Sequence, residues 1–213
     1  MPEDIKPIYI DHPNLPSDIT LAVIGMDNIK PVEFARKKSR EIQKQLGRQL
    51  ISDIISDHYG KGQCNIFSKE NGKPFAILDD RHLQISIAHC FGMITGAVSE
   101  NRVLGLDIEH SSRKCYPGLR DRILNEGEKK LVREISTLQL WTVKEAALKW
   151  SGSGLRTPMN QLSVIKIDSS QLVIEFPAGI RIDICSFLYK NFWISMAYGA
   201  QLKNNSSVNK YND

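Results

Sequence analysis

The chain has 213 residues, of which 41% are hydrophobic and 24% are charged, and its formal net charge is +4. This composition is typical of a globular protein, and the length allows one large domain or two small ones with a core that needs no disulfides. The weak positive charge does not indicate a nucleic-acid partner, but it suits an anionic ligand or an acidic protein.

The four cysteines are scattered and form no C-x-x-C pair, so we expect reduced thiols and no zinc site. No apolar run is long enough to span a membrane. The first residues, Met-Pro-Glu-Asp, are polar and lack the apolar segment of a signal peptide. Together these features predict a cytoplasmic location.

The first predicted elements are two strands, 5–10 and 19–25, followed by a long helix from about Val32 to Asp57. Apolar residues form one stripe along this helix: Ile42, Leu46, Leu50 and Ile54, widened by Ile51 and Ile55. The opposite side carries basic residues four apart: Arg36, Arg40, Lys44 and Arg48. Such a row is either a solvated face or a cationic strip for a phosphate-bearing ligand, and spacing alone favours the solvated face.

A turn with a lysine at its tip follows, Asn71-Gly72-Lys73-Pro74. It could present a backbone N–H and an ammonium group to an anion, or it could be an ordinary exposed loop. Residues 83–89 alternate like a strand, and 92–98 are predicted to pair with them as a hairpin. His89 lies at the end of that strand, where a lone histidine is more often structural than catalytic.

Residues 103–109, Val-Leu-Gly-Leu-Asp-Ile-Glu, are predicted to form a strand with Asp107 and Glu109 on the same side. Two carboxylates on one face repel each other unless a cation lies between them, and hard oxygen ligands of this kind suit Mg²⁺. Gly105 would allow another backbone or a ligand to approach closely. A polar strand face open to water is the alternative interpretation.

Short helices are predicted at 117–124 and 128–135, the second with a capping-box-like start at Asn125 and Glu128. A further helix surrounds Trp141 and ends at the glycines that follow Ser151. Four strands close the fold, at 162–167, 171–176, 181–186 and 192–200, and the polar residues 203–213 are predicted to form a disordered tail.

The helix around Trp141 places Trp141, Glu145 and Lys149 four residues apart on one face, with Lys144 just beside them. An acid between two cations is a poor choice for an apolar core but a good choice for a site that holds a metal and a phosphate. A solvated Glu–Lys pair on an ordinary helix is the common alternative.

The order of elements is strands, a long helix and strands, and then a strand, helices and strands. It predicts an α+β fold in which two similar halves pack as a pseudo-dimer, with a ligand site at the seam. We place the halves at 1–102 and 103–202.

The Gly-Leu-Asp107-Ile-Glu109 stretch, the Trp141-x-x-Lys144-Glu145-Ala-x-x-Lys149 stretch about thirty residues later, and the upstream Gly-Lys73-Pro74 together resemble the 4′-phosphopantetheinyl transferase superfamily. The resemblance is to the large, two-lobed type that activates siderophore, peptide and polyketide synthetases, and it covers roughly residues 30–200. It implies a monomeric enzyme that moves the phosphopantetheine arm of coenzyme A onto a serine of an apo acyl, peptidyl or aryl carrier protein and releases 3′,5′-ADP.

The resemblance also implies roles for individual residues. It assigns Mg²⁺ on the pyrophosphate of coenzyme A to three carboxylates: Asp107, Glu109 and Glu145. It assigns phosphate contacts to Lys144 and Lys149, and it makes Glu145, with or without an ordered water, the group that helps remove the serine proton. It assigns the rest of the coenzyme A site to residues of the first half: Arg40, Arg48, Gly72, Lys73, Pro74 and His89.

One departure concerns the strand before the seam, where the family often has Asn-x-Ser-His and this chain has Ser86-Ile87-Ala88-His89. A phosphate contact from a hydroxyl at position 88 is therefore absent. Two other functions stay open from the residues alone. One is a metal-dependent 3′–5′ exonuclease, because Asp-x-Glu on a strand also begins that chemistry. The other is a two-lobed protein that binds coenzyme A or a carrier protein without transfer.

Overall fold

The computed structural model describes residues 6–26, 36–168 and 170–200, which form eleven strands and three α-helices. The elements of the first half are β1 (Ile8–Tyr9), β2 (Thr20–Gly25), α1 (Arg36–His58), β3 (Cys64–Ser68), β4 (Pro74–Leu78), β5 (Arg81–Cys90) and β6 (Met93–Ser99). Those of the second half are β7 (Val103–His110), α2 (Leu119–Ile123), α3 (Thr137–Ser151), β8 (Ser163–Asp168), β9 (Gln171–Glu175), β10 (Arg181–Tyr189) and β11 (Phe192–Gly199).

The strands form two antiparallel sheets with the same internal order. The first sheet runs β1-β2-β6-β5-β4-β3, and the second runs β7-β11-β10-β9-β8. Apart from the short β1, each sheet begins with a strand that leads into a long helix, and the last strand of each half returns to pair beside that first strand. The predicted α+β fold of two similar halves is confirmed.

Three groups of buried side chains show how the layers stack. Leu50, Ile51 and Ile54 of α1 pack on one face of the first sheet. Val143, Ala146 and Ala147 of α3 pack on one face of the second sheet. The third group joins the inner faces of the two sheets: Leu21, Val23, Ala88, Leu104, Leu106, Ile108, Phe187, Ile194 and Met196. The two sheets therefore lie between the two helices.

The structure differs from the sequence prediction at residues 128–135, which form hydrogen-bonded turns instead of a helix. The predicted capping box does form, because the Glu128 N–H donates to Asn125 Oδ1 at 3.1 Å and the Asn125 N–H donates to Glu128 Oε1 at 3.1 Å. The other carboxylate oxygen of Glu128 accepts from the Val164 N–H, so this side chain points into the protein. The backbone of the following residues forms turns around it.

The other predicted elements occur in the predicted order, but β3 and β4, which flank the 71–74 turn, were not predicted. The start of the predicted first helix, residues 32–35, and the predicted tail, 203–213, lie outside the described residues. The division at residue 102 stays a prediction. Among the described helices, none combines the length and the apolar character needed to cross a membrane.

Candidate active site

Helix α3 lies directly against β7 because residue 105 has no side chain. A Cβ atom at Gly105 would come within 2.1 Å of the Ala146 carbonyl oxygen and 2.3 Å of the Trp150 nitrogen, both of them backbone atoms of α3. The predicted close approach at Gly105 is thus made by the helix backbone. It brings the polar face of α3 onto the side of β7 that carries Asp107 and Glu109.

Asp107 and Lys149 form the centre of this contact. Lys149 Nζ donates to Asp107 Oδ1 at 2.8 Å and to the Leu106 carbonyl at 2.9 Å. Asp107 is only 8% exposed, and its second oxygen, Oδ2, is buried without a hydrogen-bond partner among the described residues. Burial raises the pKa of the Asp107 carboxyl, and the charge of Lys149 opposes that shift. A buried carboxylate oxygen with no partner is costly unless a ligand or an ion satisfies it.

Glu145 lies one helical turn before Lys149 and faces the same cluster. Desolvation raises the pKa of the Glu145 carboxyl, and the negative charge of Asp107 raises it further. The positive charges of Lys149 and Arg113 act in the opposite direction. Two carboxylates are therefore close enough to repel each other at the bottom of the seam.

Glu109, the third predicted metal ligand, forms an ion pair with Arg113. The Arg113 guanidinium donates to Glu109 Oε1, and it also lies over the indole ring of Trp141 at 5.6 Å from the ring centroid. Nothing in the periodicity of the loop after β7 identifies Arg113, and sequence reasoning missed it. The only signal available is a basic residue four positions after Glu109.

The fit to a divalent cation rests on two of the three predicted carboxylates. Within residues 6–26, 36–168 and 170–200, no three or more Asp, Glu, His or Cys side chains are grouped closely enough to hold a metal ion. Asp107 and Glu145 nevertheless meet the requirement for Mg²⁺, which takes one or two carboxylates and completes its shell with waters and phosphate oxygens. The unpartnered Asp107 Oδ2 is the atom that such an ion would satisfy.

The first half supplies basic groups to the same place. Desolvation lowers the pKa of His89, at the end of β5, and the positive charges of Lys149 and Arg40 lower it further. Asp107 acts on the His89 pKa in the opposite direction. Arg40 is exposed on α1, and so is Arg48 two turns later. The contact predicted for Arg48 stays a prediction.

A cavity of ≈ 240 Å³ opens beside the cluster and is lined by both halves of the molecule. Its walls come from the 71–74 turn and β5 of the first half and from the end of α3: Asn71, Gly72, Lys73, Pro74, Ser86, Leu148, Lys149 and Gly152. The Lys73 ammonium donates to the Trp150 carbonyl at the C-terminus of α3. Desolvation, with the charge of Lys69, lowers the pKa of Lys73 to about 7.

Comparison with known proteins adds to this geometry. The model of the 4′-phosphopantetheinyl transferase superfamily matches residues 103–197, which include β7, α3 and most of β11. The chain is 26% identical over 182 residues to the 4′-phosphopantetheinyl transferase ffp of Bacillus subtilis, with 80% of each chain covered. It is 28% identical over 187 residues to another B. subtilis 4′-phosphopantetheinyl transferase, covering 81% of this chain and 80% of the relative. The resemblance predicted from the sequence is confirmed.

A third relative, the 4′-phosphopantetheinyl transferase gsp of Aneurinibacillus migulanus, is 29% identical over 138 residues, covering 61% of this chain and 56% of the relative. The chain is thus similar to 4′-phosphopantetheinyl transferases over most of its length, as the sequence predicts.

Lys144 does not lie in this candidate site, although the sequence predicts that it contacts the cofactor. Its side chain is fully buried on the other side of α3. There Nζ is paired with Glu128, and its other acceptors are three backbone carbonyls, those of Ile123, Met159 and Leu162. An ammonium group has three donors, so these partners leave it none for a phosphate. Lys144 instead fastens α3 to the segments that precede and follow it.

Ser86 and Ala88, the two departures from the family pattern, both lie at the seam. Ser86 Oγ accepts a hydrogen bond from the Leu106 N–H at 2.9 Å, so it joins β5 to β7. Ala88 is buried between the sheets. Ser86 therefore holds the two halves of the site together, a role that sequence reasoning did not assign to it.

Proposed function

We propose that this enzyme transfers the 4′-phosphopantetheine arm of coenzyme A to a serine of an apo carrier protein, in a reaction that requires Mg²⁺. The observation that carries the proposal is the buried Asp107, with one oxygen paired to Lys149 and the other without a partner, beside Glu145 and a cavity lined by both halves. This arrangement offers oxygen ligands and a cation at one end of a basic cavity. The oxygen ligands would hold Mg²⁺, and this ion and the Lys149 ammonium would both contact the oxygens of a pyrophosphate.

In the proposed reaction the serine oxygen attacks the phosphorus that carries the pantetheine arm. An O–P bond forms, the P–O bond of the pyrophosphate breaks, and 3′,5′-ADP leaves. Asp107 and Glu145 would hold the cation, which supplies stabilisation of charge on the phosphate oxygens. Lys149 would meet the negative charge that develops on the same oxygens, and Glu145 would help to remove the serine proton.

The 71–74 turn and His89 are proposed to hold the other end of coenzyme A. Lys73 and His89 present nitrogen donors from the first half, and Arg40 and Arg48 add positive charge along α1. A basic approach raises the local concentration of an anion as highly charged as coenzyme A, and it favours an acidic carrier protein. The kind of carrier, acyl, peptidyl or aryl, the siderophore or other pathway, the monomeric state and the cytoplasmic location stay predictions.

Intact-mass spectrometry of apo carrier proteins, incubated with the enzyme, coenzyme A and Mg²⁺, tests this function. We expect a gain of one phosphopantetheine that disappears when the acceptor serine is replaced by alanine or when a chelator is added. Asp107→Asn has the same shape without the charge, and it should slow transfer by about 10²- to 10³-fold, the usual effect of losing one key electrostatic group.

Coenzyme A binding without any mass gain on the three carrier types would contradict transfer and favour the binding protein. Absence of both binding and transfer, together with degradation of single-stranded DNA, would favour the exonuclease. A chelator-insensitive mass gain would retain the transferase and remove the Mg²⁺ requirement.

A further inference from the structure

Arg113 lies at the point where the sequence predicts a metal ion. It follows β7 in the chain, and its guanidinium is held from two sides, by the Glu109 carboxylate and by the face of the Trp141 ring. Glu109 is 17% exposed and Arg113 is 44% exposed, so the pair closes the solvent side of the cluster. The flat guanidinium can contact a carboxylate and an aromatic face simultaneously, whereas a lysine ammonium cannot reproduce this geometry.

The charge of Arg113 also reaches the deeper carboxylates. Burial raises the pKa of both Asp107 and Glu145, and the charge of Arg113 opposes that rise. Lys149, which is 34% exposed, is thus paired with Asp107, and Arg113, which is 44% exposed, is paired with Glu109. Without Arg113 the three carboxylates would repel one another more strongly whenever no divalent ion is bound.

A divalent ion and Arg113 would both draw on the Glu109 carboxylate. The buried Oδ2 of Asp107 is without a partner and is ready for an ion, but Glu109 Oε1 is already engaged by Arg113. While Arg113 holds it, Glu109 is not grouped with Asp107 and Glu145 closely enough to share an ion, so it would have to shift to join them. Trp141 would keep the released guanidinium nearby through its ring contact.

We propose that Arg113 competes with the divalent cation for Glu109, so that it stabilises the cation-free site and weakens cation binding. This inference rests on the proposed Mg²⁺-dependent function, because it takes the cation site from that proposal. It goes further by naming the side chain that sets the affinity of the site for the cation. It also explains why, among the described residues, Glu109 is not grouped with the other two predicted ligands.

Binding of Mn²⁺, used as a paramagnetic stand-in for Mg²⁺, tests the competition without any need for transfer. The free-ion signal is followed by electron paramagnetic resonance during titration of the coenzyme A-loaded protein, with no carrier protein present. We expect Arg113→Gln to bind Mn²⁺ about two- to five-fold more tightly than wild type, the range for losing one partly exposed ion pair. Arg133→Gln removes the same charge from an 85% exposed side chain and should leave the affinity unchanged.

The pair Glu109→Gln and Glu109→Gln/Arg113→Gln separates competition from a general effect of charge. If Arg113 acts mainly through Glu109, the arginine substitution should have a clearly smaller effect on the affinity once Glu109 is neutral. An equal gain in both backgrounds would show that the guanidinium acts only through its long-range charge, and it would overturn the proposal. Unchanged or weaker binding in Arg113→Gln would also overturn it.

The outcome is independent of the transfer assay. If wild type transfers phosphopantetheine and binds Mn²⁺, but the arginine substitution has no effect on binding, only the competition fails. If Mn²⁺ binds with the expected dependence on Arg113 and Glu109 but no carrier protein gains mass, the proposed function fails and the competition stands. If wild type binds no Mn²⁺, the cation site and the competition are both wrong.

Discussion

Lys73 shows how one side chain can serve both the structure and the ligand. Its ammonium donates to the Trp150 carbonyl at the last turn of α3, where the backbone carbonyls carry partial negative charge. It also lines the cavity that we assign to coenzyme A. Desolvation is the largest cause of its low pKa, about 7 compared with 10.5 for a free lysine. The free enzyme therefore holds Lys73 largely neutral above neutral pH.

An anion bound beside Lys73 should raise this pKa again, so that coenzyme A binding takes up a proton. At pH 8 the free side chain is mostly neutral and the complex mostly charged, and the uptake should approach one proton for each coenzyme A. At pH 6 the side chain is already charged, so the uptake should fall. Isothermal titration calorimetry in buffers of different ionisation enthalpy measures this uptake directly.

Lys73→Met should remove most of the uptake at pH 8, and Lys166→Met, a substitution on β8 in the other half, should not. His89 can also take up a proton on binding, so the informative quantity is the difference between wild type and Lys73→Met. The assignment of Lys73 to the coenzyme A site would be wrong if the two proteins showed the same dependence on buffer.

Lys149 and Lys144, both on α3, show which side-chain positions could be predicted from the sequence and which could not. Lys149 lies four residues after Glu145, about 40° around the helix, and it does face Asp107 with Glu145. Lys144 lies one residue before Glu145, about 100° around the helix, and this rotation turns it into the core. Its partner, Glu128, comes from a separate turn in the chain, and helical spacing cannot reveal such a pairing.

At the scale of elements, the contact between α3 and β7 positions the whole cluster. Gly105 permits that contact, and on the other side of the strand Leu104 and Leu106 anchor β7 between the sheets. The polar end of α3 is held by Gly152, which adopts a left-handed conformation and caps the helix beside the Asn71 side chain. Because α3 carries Glu145 and Lys149, a small shift of this helix would change their distance to Asp107.

Gly105→Ala should force α3 away from β7, because the added Cβ would meet backbone atoms that cannot rotate aside. We expect a loss of about 1–3 kcal/mol in the free energy of unfolding, the usual cost of overpacking, and a loss of transfer in the protein that remains folded. Urea denaturation measures the first, and the carrier-protein mass assay under native conditions measures the second.

Gly127→Ala is the matched control, since a Cβ there would come no closer than 3.4 Å to the Asn125 side chain. It should change stability and transfer little. Full activity in Gly105→Ala would contradict the view that close packing of α3 on β7 sets the geometry of the site.

The elements themselves were predictable where one periodicity was clear. The alternation in β7 and the four-residue spacing in α3 gave both elements and the faces that carry Asp107, Glu145 and Lys149. The predicted helix at 128–135 was wrong because the inward hydrogen bonds of Glu128 replace it with turns. The pairing of Arg113 with Glu109 depends on the path of a loop, and no local pattern encodes that path.

On the scale of the whole molecule, the two halves share one topology but not one chemistry. Cys90 pairs with Met93 at the end of the β5–β6 hairpin, as Tyr189 pairs with Phe192 in the β10–β11 hairpin. Gly96 lies three residues after Met93 and pairs with Ala22 of β2. Ser195 lies three residues after Phe192 and pairs with Asp107 of β7. Ala22 therefore corresponds to Asp107. By the same register Ile24 corresponds to Glu109.

These equivalent positions are apolar and buried under α1. Ala22 and Ile24 belong to the core that α1 forms with the first sheet. In the first half this face of the sheet is therefore apolar and packs against α1, whereas in the second half the equivalent positions carry carboxylates. The carboxylates Asp107 and Glu109 therefore have no counterparts at the equivalent positions of the first half. The first half contributes instead the residues that line the cavity at the seam, such as Lys73 and Ser86.

The chain should accordingly bind one coenzyme A and one divalent cation. Calorimetric titration gives the number of coenzyme A molecules for each chain, and sedimentation equilibrium on the same sample gives the number of chains in the particle, which we predict to be one. Two coenzyme A molecules for each chain would contradict a single seam site.

Ala22→Asp should not add a second cation site, because the carboxylate would lie in the apolar core that α1 forms with the first sheet. That variant should instead be less stable than wild type, by several kcal/mol if the carboxylate stays charged. The apolar packing of the first half and the carboxylates of the second are alternative uses of the same position in the fold.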